Sequence, residues 1–244
     1  MVTGSAPKPG AEGGPGRRLA GRTAVVTGAG GAIGLAAARR LAAEGAHVVC
    51  TDLDEAAGRA AAKAAGGLFV PADLTDPYLV EALFDEAYET FGSVDVAFNN
   101  PGTAPSPEDD SILTTGPDTW RRVQEAELTS VYLCCRAALP YMRRHGRGSI
   151  INAAGLGAVA GPAGAQISRT AARGGVLALS RALGLQFARE GIRVNALLPG
   201  PVGSPPGRSA RPEDIAAAVA FLAGDDAAAV TATEFLVDAV TAGG

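Results

Sequence analysis

The sequence predicts an α/β fold with a doubly wound parallel sheet, arranged as three α/β/α layers in a single domain. Short β-branched or apolar runs alternate with amphipathic segments along most of the chain, which indicates parallel strand pairing. The later runs are apolar throughout, as is typical of central strands buried on both faces. The 244 residues, 47% of them hydrophobic, suffice for one sizeable core without a second domain.

The predicted elements follow one another after a short N-terminal segment. Residues 1–18 carry almost no large apolar side chain, so we expect a disordered tail there and one folded domain over residues 19–244. The predicted strands are residues 23–27, 47–51, 68–71, 94–99, 148–152, 192–197 and 234–238. The predicted helices are residues 33–44, 55–65, 77–91, 118–144, 165–190 and 213–222.

Composition excludes several classes of partner. The formal net charge is −4 and the basic residues are scattered, so we expect no nucleic-acid partner. Cys50, Cys134 and Cys135 have no metal-ligand spacing, which predicts buried thiols in a reducing compartment and no metal site. No stretch approaches the ~20 apolar residues of a membrane span. We therefore expect no membrane partner and a cytoplasmic protein.

A glycine cluster follows the first predicted strand, at residues 27–34. Such glycines let the backbone approach a pyrophosphate, and the following helix N-terminus favours its negative charge. Asp52 ends the next predicted strand, where its carboxylate would accept bonds from a ribose and repel a 2′-phosphate. These features predict a Rossmann-type site that prefers NAD to NADP. Alternatively, the glycines serve only the turn, and NAD binding is weak or vestigial.

From about Leu19 to the C-terminus, the chain resembles the short-chain dehydrogenase/reductase family. The segments that match the family's motifs in order are residues 27–34, 73–74, 99–102, 191–195, 199–200, 211–215 and 235–238. The resemblance implies cofactor contacts from Gly28, Gly31, Ile33, Gly34, Asp52, Asp73, Leu74, Asn100 and Gly102. The chain departs from the family's motifs at Ala32, Pro101 and Ala239, where the family has glycine, alanine and glycine.

The resemblance places the family's catalytic positions on residues of different chemistry. In the family, a tyrosine transfers the substrate proton, a lysine lowers its pKa, a serine orients the carbonyl, and an asparagine holds a water. By the order of the motifs, these positions fall on Ile167, Ala171, Ala154 and Glu127 in this chain. We therefore expect no catalytic residue at these vacated positions and no hydride transfer.

The surroundings of these positions offer few replacements. Helical geometry predicts that Gln166, Ser168 and Arg173 point away from the site. Glu127 is then the one polar group left, either an acid or base with a raised pKa, or a carboxylate bonded to a helix end or to water. The segment in place of the family's substrate lid, residues 201–211, is short and rich in proline and glycine.

These features favour a pseudoenzyme: a non-catalytic subunit that pairs with an active relative, or a homo-oligomer. The family commonly assembles through two long helices, here residues 118–144 and 165–190, and small residues on the second helix permit close approach: Gly174, Gly175, Ala178 and Ala182. The alternatives are non-redox chemistry on a small molecule (a cyclase, isomerase or lyase that uses Glu127), NAD sensing, or an NAD-dependent oxidoreductase if the motif alignment is shifted.

Overall fold

The computed structural model describes residues 17–102, 107–155, 166–202 and 210–238. Seven parallel strands form one sheet in the order β3-β2-β1-β4-β5-β6-β7. The strands are β1 Thr23–Thr27, β2 His47–Thr51, β3 Leu68–Phe69, β4 Val96–Asn99, β5 Gly148–Ala153, β6 Ile192–Pro199 and β7 Glu234–Val237. This order confirms the predicted doubly wound sheet, and the strand order reverses between β1 and β4.

Helices cover both faces of the sheet. They are α1 Ala32–Ala43, α2 Glu55–Ala65, α3 Pro77–Phe91, α4 Pro117–Gln124, α5 Ser130–His145, α6 Ile167–Phe187 and α7 Pro212–Ala223. Because side chains alternate along a strand, Ala24 and Val26 of β1 pack under α1, α2 and α7, whereas Val25 packs under α3, α5 and α6. The two apolar clusters therefore form the predicted three layers.

Local sequence signals begin and end several of these helices. The Asp54 carboxylate accepts the Ala57 N–H at the start of α2, and the Asp76 carboxylate accepts the Tyr78 and Leu79 N–H groups at the start of α3. Gly66 and Gly92 end these two helices in the left-handed conformation that glycine adopts without strain. Each strand end near the site is thus followed by a well-defined helix.

The long helix predicted over residues 118–144 is interrupted. A π turn at Glu125–Thr129 separates α4 from α5. Such turns insert one extra residue into a helix and frequently occur at functional sites. Gly175 of α6 packs against this turn, because a Cβ at Gly175 would lie 2.7 Å from Leu128 Cδ2. This glycine therefore serves packing within the chain.

The predicted tail and lid lie mostly outside the described residues, which exclude 1–16 and 203–209. Arg18, assigned to the tail by the sequence, forms ion pairs with Glu44 at 2.6 Å and Asp226 at 2.8 Å. Within the described ranges, no helix is long and apolar enough to cross a membrane. The same ranges contain no cluster of three or more histidine, cysteine or acidic residues suited to a metal ion.

Candidate functional site

Two adjoining cavities open at the carboxyl edge of the sheet, on either side of the β1–β4 reversal. The first, about 370 Å³, is lined by residues that follow β1, β2, β3 and β4, and includes Gly28, Gly30, Gly31, Asp52, Asp73, Leu74, Asn100 and Gly102. The second, about 470 Å³, includes Ile33, Asn100, Gly102, Glu127, Ala154, Gly155, Arg173, Pro199 and Gly200. Gly31, Asn100, Pro101 and Gly102 line both cavities, so the two form one continuous cleft.

The glycine turn leaves its backbone open toward this cleft. Gly28 has a φ of +57°, and a Cβ there would lie 2.2 Å from the Asn100 carbonyl oxygen. Gly31 is the N-cap of α1 without a side-chain cap, so the N-terminal N–H groups of the helix remain available to an anion. Gly34 lies beneath the turn, where a Cβ would be 2.1 Å from the Gly28 carbonyl oxygen, and so it supports the turn without lining the cleft.

Asp52 is positioned by backbone N–H groups from both sides. Its Oδ2 accepts the Gly30 N–H at 2.8 Å and its Oδ1 accepts the Asp54 N–H at 2.9 Å. Each carboxylate oxygen keeps a further lone pair for a ligand hydroxyl. Gly30 was not among the predicted contacts, although a Cβ there would lie 2.6 Å from Ala57 Cβ, which leaves no room for a side chain.

Asn100 joins the two sides of the cleft. Its backbone N–H donates to Thr27 Oγ1 at 2.9 Å, and its side-chain Nδ2 donates to the Gly28 carbonyl at 3.4 Å. These bonds tie the end of β4 to the end of β1. The departure at Ala32 falls on the first residue of α1, which is exposed and lines the second cavity.

Glu127 lies in the π turn and is only 2% exposed. Arg169 Nε donates to its Oε1 at 2.5 Å, and Arg173 Nε donates to its Oε2 at 3.0 Å. The two arginines are four residues apart on α6, so one helix face presents both guanidinium groups to one carboxylate. Glu127 is therefore ion-paired, and neither predicted environment, a helix end or water, describes it.

The prediction that Arg173 points away from the site is wrong. Arg173 lines the second cavity, with its side chain 31% exposed. Ala171 is exposed and lines neither cavity, so the face of α6 toward the site is that of Arg169 and Arg173. Ala171 is therefore not the inward position that helical periodicity predicted, and the two faces of α6 are reversed.

The other sequence-selected positions divide between the site and its surroundings. Ala154 follows β5 and lines the second cavity. Ile167 is the first residue of α6, half-buried, and lines neither cavity. Ser168 is buried, and Gln166 Oε1 accepts a bond from Arg169 Nη1 at 2.5 Å. Gln166 therefore helps to hold Arg169.

Asp109 is a structural determinant that the sequence analysis missed. Its carboxylate is 3% exposed and accepts the N–H groups of Ser168 at 2.8 Å and Arg169 at 3.1 Å. The N-cap residue itself, Gln166, makes no side-chain cap bond, so Asp109 caps α6 from a distant segment. No local sequence signal reveals a cap whose partners are 59 and 60 residues away.

Comparison with known proteins assigns the chain to one family. The family model described as enoyl-(acyl carrier protein) reductase matches residues 28–205. A cis-4-hydroxycyclohexanecarboxylate dehydrogenase of Sinomonas cyclohexanicum is 40% identical, over 91% of this chain and 97% of that protein. A meso-2,3-butanediol dehydrogenase of Serratia marcescens is 36% identical, over 91% of this chain and 94% of that protein. A Burkholderia xenovorans crystal structure, described as a short-chain dehydrogenase/reductase, superposes with a TM-score of 0.84 at 35% identity, covering 92% of this chain and 98% of that one.

These relatives overturn the expected non-catalytic role. The pseudoenzyme interpretation, in which the family's oxidoreductase activity is absent, is wrong because relatives that match over most of their length are dehydrogenases. The interpretation failed physically because it counted Glu127 as the one polar group of the site, whereas Arg173 also lines the cavity. The relatives imply a nicotinamide dinucleotide, NAD or NADP, as cofactor. By its sequence, its sheet and its cleft, the chain belongs to the short-chain dehydrogenase/reductase family.

Proposed function

We propose that the chain is an NAD-dependent oxidoreductase that interconverts a small alcohol and its carbonyl compound. The observation that carries the proposal is the ion pair of Glu127 and Arg173 in the cavity next to the glycine turn. The relatives named above are dehydrogenases of a hydroxycyclohexanecarboxylate and a butanediol, each a compound with a hydroxyl group. Their chemistry supports the reaction class.

The described part of the cleft fits a dinucleotide. Gly28 and Gly31 give the close backbone approach and the free helix N-terminus that a pyrophosphate requires. Asp73, Leu74 and Asp52 line the cavity where the adenosine would lie, and the Asp52 carboxylate favours a ribose with free hydroxyls over one with a 2′-phosphate. We therefore propose NAD in preference to NADP.

The chemistry of the site follows from which groups can donate hydrogen bonds. When bound, the nicotinamide would accept or supply the hydride. Arg173 donates hydrogen bonds from its terminal amino groups to the reacting oxygen, where negative charge develops. Glu127, fixed by Arg169 on its other side, holds the Arg173 guanidinium in place. The hydroxyl proton of the alcohol is exchanged with water, since a guanidinium does not accept it.

In this arrangement, Arg173 has a role that other residues have in the family. By the motif alignment, Ala154 and Ile167 stand at the positions of the family's serine and tyrosine, and neither side chain can donate a hydrogen bond. Among the described residues, we therefore place electrostatic stabilisation on Arg173. A preorganised donor of this kind typically contributes a factor of about 10²–10³ to the rate.

The test is a steady-state assay of the purified chain with NAD(H) and a panel of small ketones and secondary alcohols. We expect turnover, a decrease of about 100-fold in kcat/KM for Arg173→Ala, and a smaller decrease for Arg173→Lys. Arg181→Ala is the matched control, because Arg181 lies on the same helix, is 65% exposed and pairs at the surface with Glu234. Turnover that Arg173→Ala leaves unchanged would refute the proposed site, and no turnover with any compound would refute the reaction.

A further inference from the structure

The second cavity offers few side-chain donors to a substrate. Among the described residues that line it, only Glu127 and Arg173 carry charge, and the other polar side chain is Asn100. The Asn100 amide already donates to the Gly28 carbonyl. The neighbouring walls, formed by Ala153, Ala154 and Ile33 among others, are apolar. Among the described lining residues, Arg173 is therefore the side chain placed to orient a substrate.

Arg173 lines the cavity, and one edge of its guanidinium is engaged by Glu127. Its Nε is engaged by Glu127, and within the part of the chain that the structure describes its terminal amino groups make no hydrogen bond. Nη1 of Arg173 lies beside Gly155, because a Cβ at Gly155 would be 3.0 Å from that nitrogen. The free edge therefore carries two parallel N–H donors in the fork geometry that matches a planar pair of oxygens.

The ion-paired side chains at this edge carry a net positive charge. Glu127 is shared between Arg169 and Arg173, so the three side chains carry one positive charge in excess. Of the other carboxylates nearby, Asp238 lies beside Gly200 of the same cavity, and the Asp109 oxygens are engaged by the first-turn N–H groups of α6. The negative charge of Asp109 thus offsets the positive end of the helix. An anionic group at the Arg173 edge would be attracted to it.

We infer that the substrate carries a carboxylate directly beside the reacting carbon: a 2-oxo acid in the reductive direction and a 2-hydroxy acid in the oxidative direction. This inference rests on the proposed function. A 2-oxo acid places its keto oxygen and one carboxylate oxygen side by side, so both terminal nitrogens of Arg173 are satisfied by one molecule. A simple ketone occupies one nitrogen and leaves the other without a partner in a partly desolvated site, which weakens its binding.

Pyruvate and 2,3-butanedione form the decisive pair of probes, since they share shape and paired oxygens but differ in one negative charge. With NADH, we expect kcat/KM for pyruvate to exceed that for 2,3-butanedione by about 10- to 100-fold. This factor corresponds to the free energy that one hydrogen-bonded pair with a charged partner contributes. Arg173→Gln should remove most of this preference, whereas Arg181→Ala should preserve it. Equal or faster turnover of 2,3-butanedione would overturn the inference and leave the proposed function intact.

A binding measurement separates the inference from the proposed reaction. Oxamate is an unreactive isostere of pyruvate, and calorimetry should show that Arg173→Gln weakens its binding to the NADH-loaded chain by about 10-fold or more. If no compound is turned over but oxamate binds through Arg173, the proposed reaction fails and the anion site stands. If oxamate does not bind, or if Arg173→Gln weakens NADH binding and leaves oxamate binding unchanged, the inference fails.

Discussion

Asp109 offers a direct test of how α6 is held in the site. Its buried carboxylate accepts two N–H groups in the first turn of α6, from Ser168 and Arg169. Hydrogen bonds to a charged group contribute about 1.5–3 kcal/mol each, and loss of a helix cap typically costs about 1 kcal/mol. Because water can reach the freed N–H groups only in part, we expect Asp109→Ala to lower the free energy of unfolding by about 2–4 kcal/mol. Asp109→Asn, which keeps one acceptor oxygen, should cost about half as much.

Urea denaturation followed by circular dichroism measures this change, and hydrogen exchange of the first turn of α6 locates it. Asp110→Ala is the matched control, because Asp110 is exposed and its backbone N–H, not its carboxylate, bonds to Thr115. Fast exchange at Ser168 and Arg169 should accompany the loss of stability in Asp109→Ala and be absent in the control. A stability within about 0.5 kcal/mol of the wild-type value would refute the reasoning, since that is the range of ordinary surface substitutions.

Three further predictions concern the cofactor, the surface and the thiols. Asp52→Asn keeps an acceptor for the Gly30 N–H but removes the charge, so calorimetry should show the preference for NADH over NADPH fall by about 10-fold; an unchanged ratio would contradict the assigned role. An apolar groove of about 680 Å³ between α5 and α6 includes Leu183, and the family's mode of assembly predicts that this groove binds a second copy. Leu183→Glu should then convert the assembly to monomers, as measured by light scattering, whereas a monomeric wild-type chain would contradict the predicted assembly. Burial raises the pKa of the Cys50 thiol and of the Cys135 thiol to about 12, and raises that of Cys134 as well. Since the thiolate is the reactive form, iodoacetamide should label no cysteine in the folded chain and all 3 in urea; rapid labelling of the folded chain would show that the burial is incomplete.

The fold could be predicted from sequence because its signals are local. Each strand of the sheet is a short apolar run, and the glycines and capping aspartates mark the turns between strands and helices. The predicted contacts at Asp52, Asp73 and Asn100 line the first cavity because they follow strands whose carboxyl ends meet at one edge.

The geometry of the second cavity could not be predicted in the same way, because it depends on contacts between distant segments. Periodicity gives the relative phase of residues on α6 but not which face turns toward the cleft, and the choice of Ala171 as the inward position misplaced Arg173. The pairing of Glu127 with residues 42 and 46 positions away has no local sequence signature. The charge of the site therefore became evident only in three dimensions.

The π turn at Glu125–Thr129 makes this region sensitive to chain length. Removal of one residue there would let α4 run into α5 as a regular α-helix, and α4 would rotate by about 100° about the common axis. Gln124, which donates to the Ser168 carbonyl at 2.8 Å, would then lose its partner on α6. Surface loops accept insertions and deletions at little cost, but this internal segment tolerates substitutions far better than a change in its number of residues.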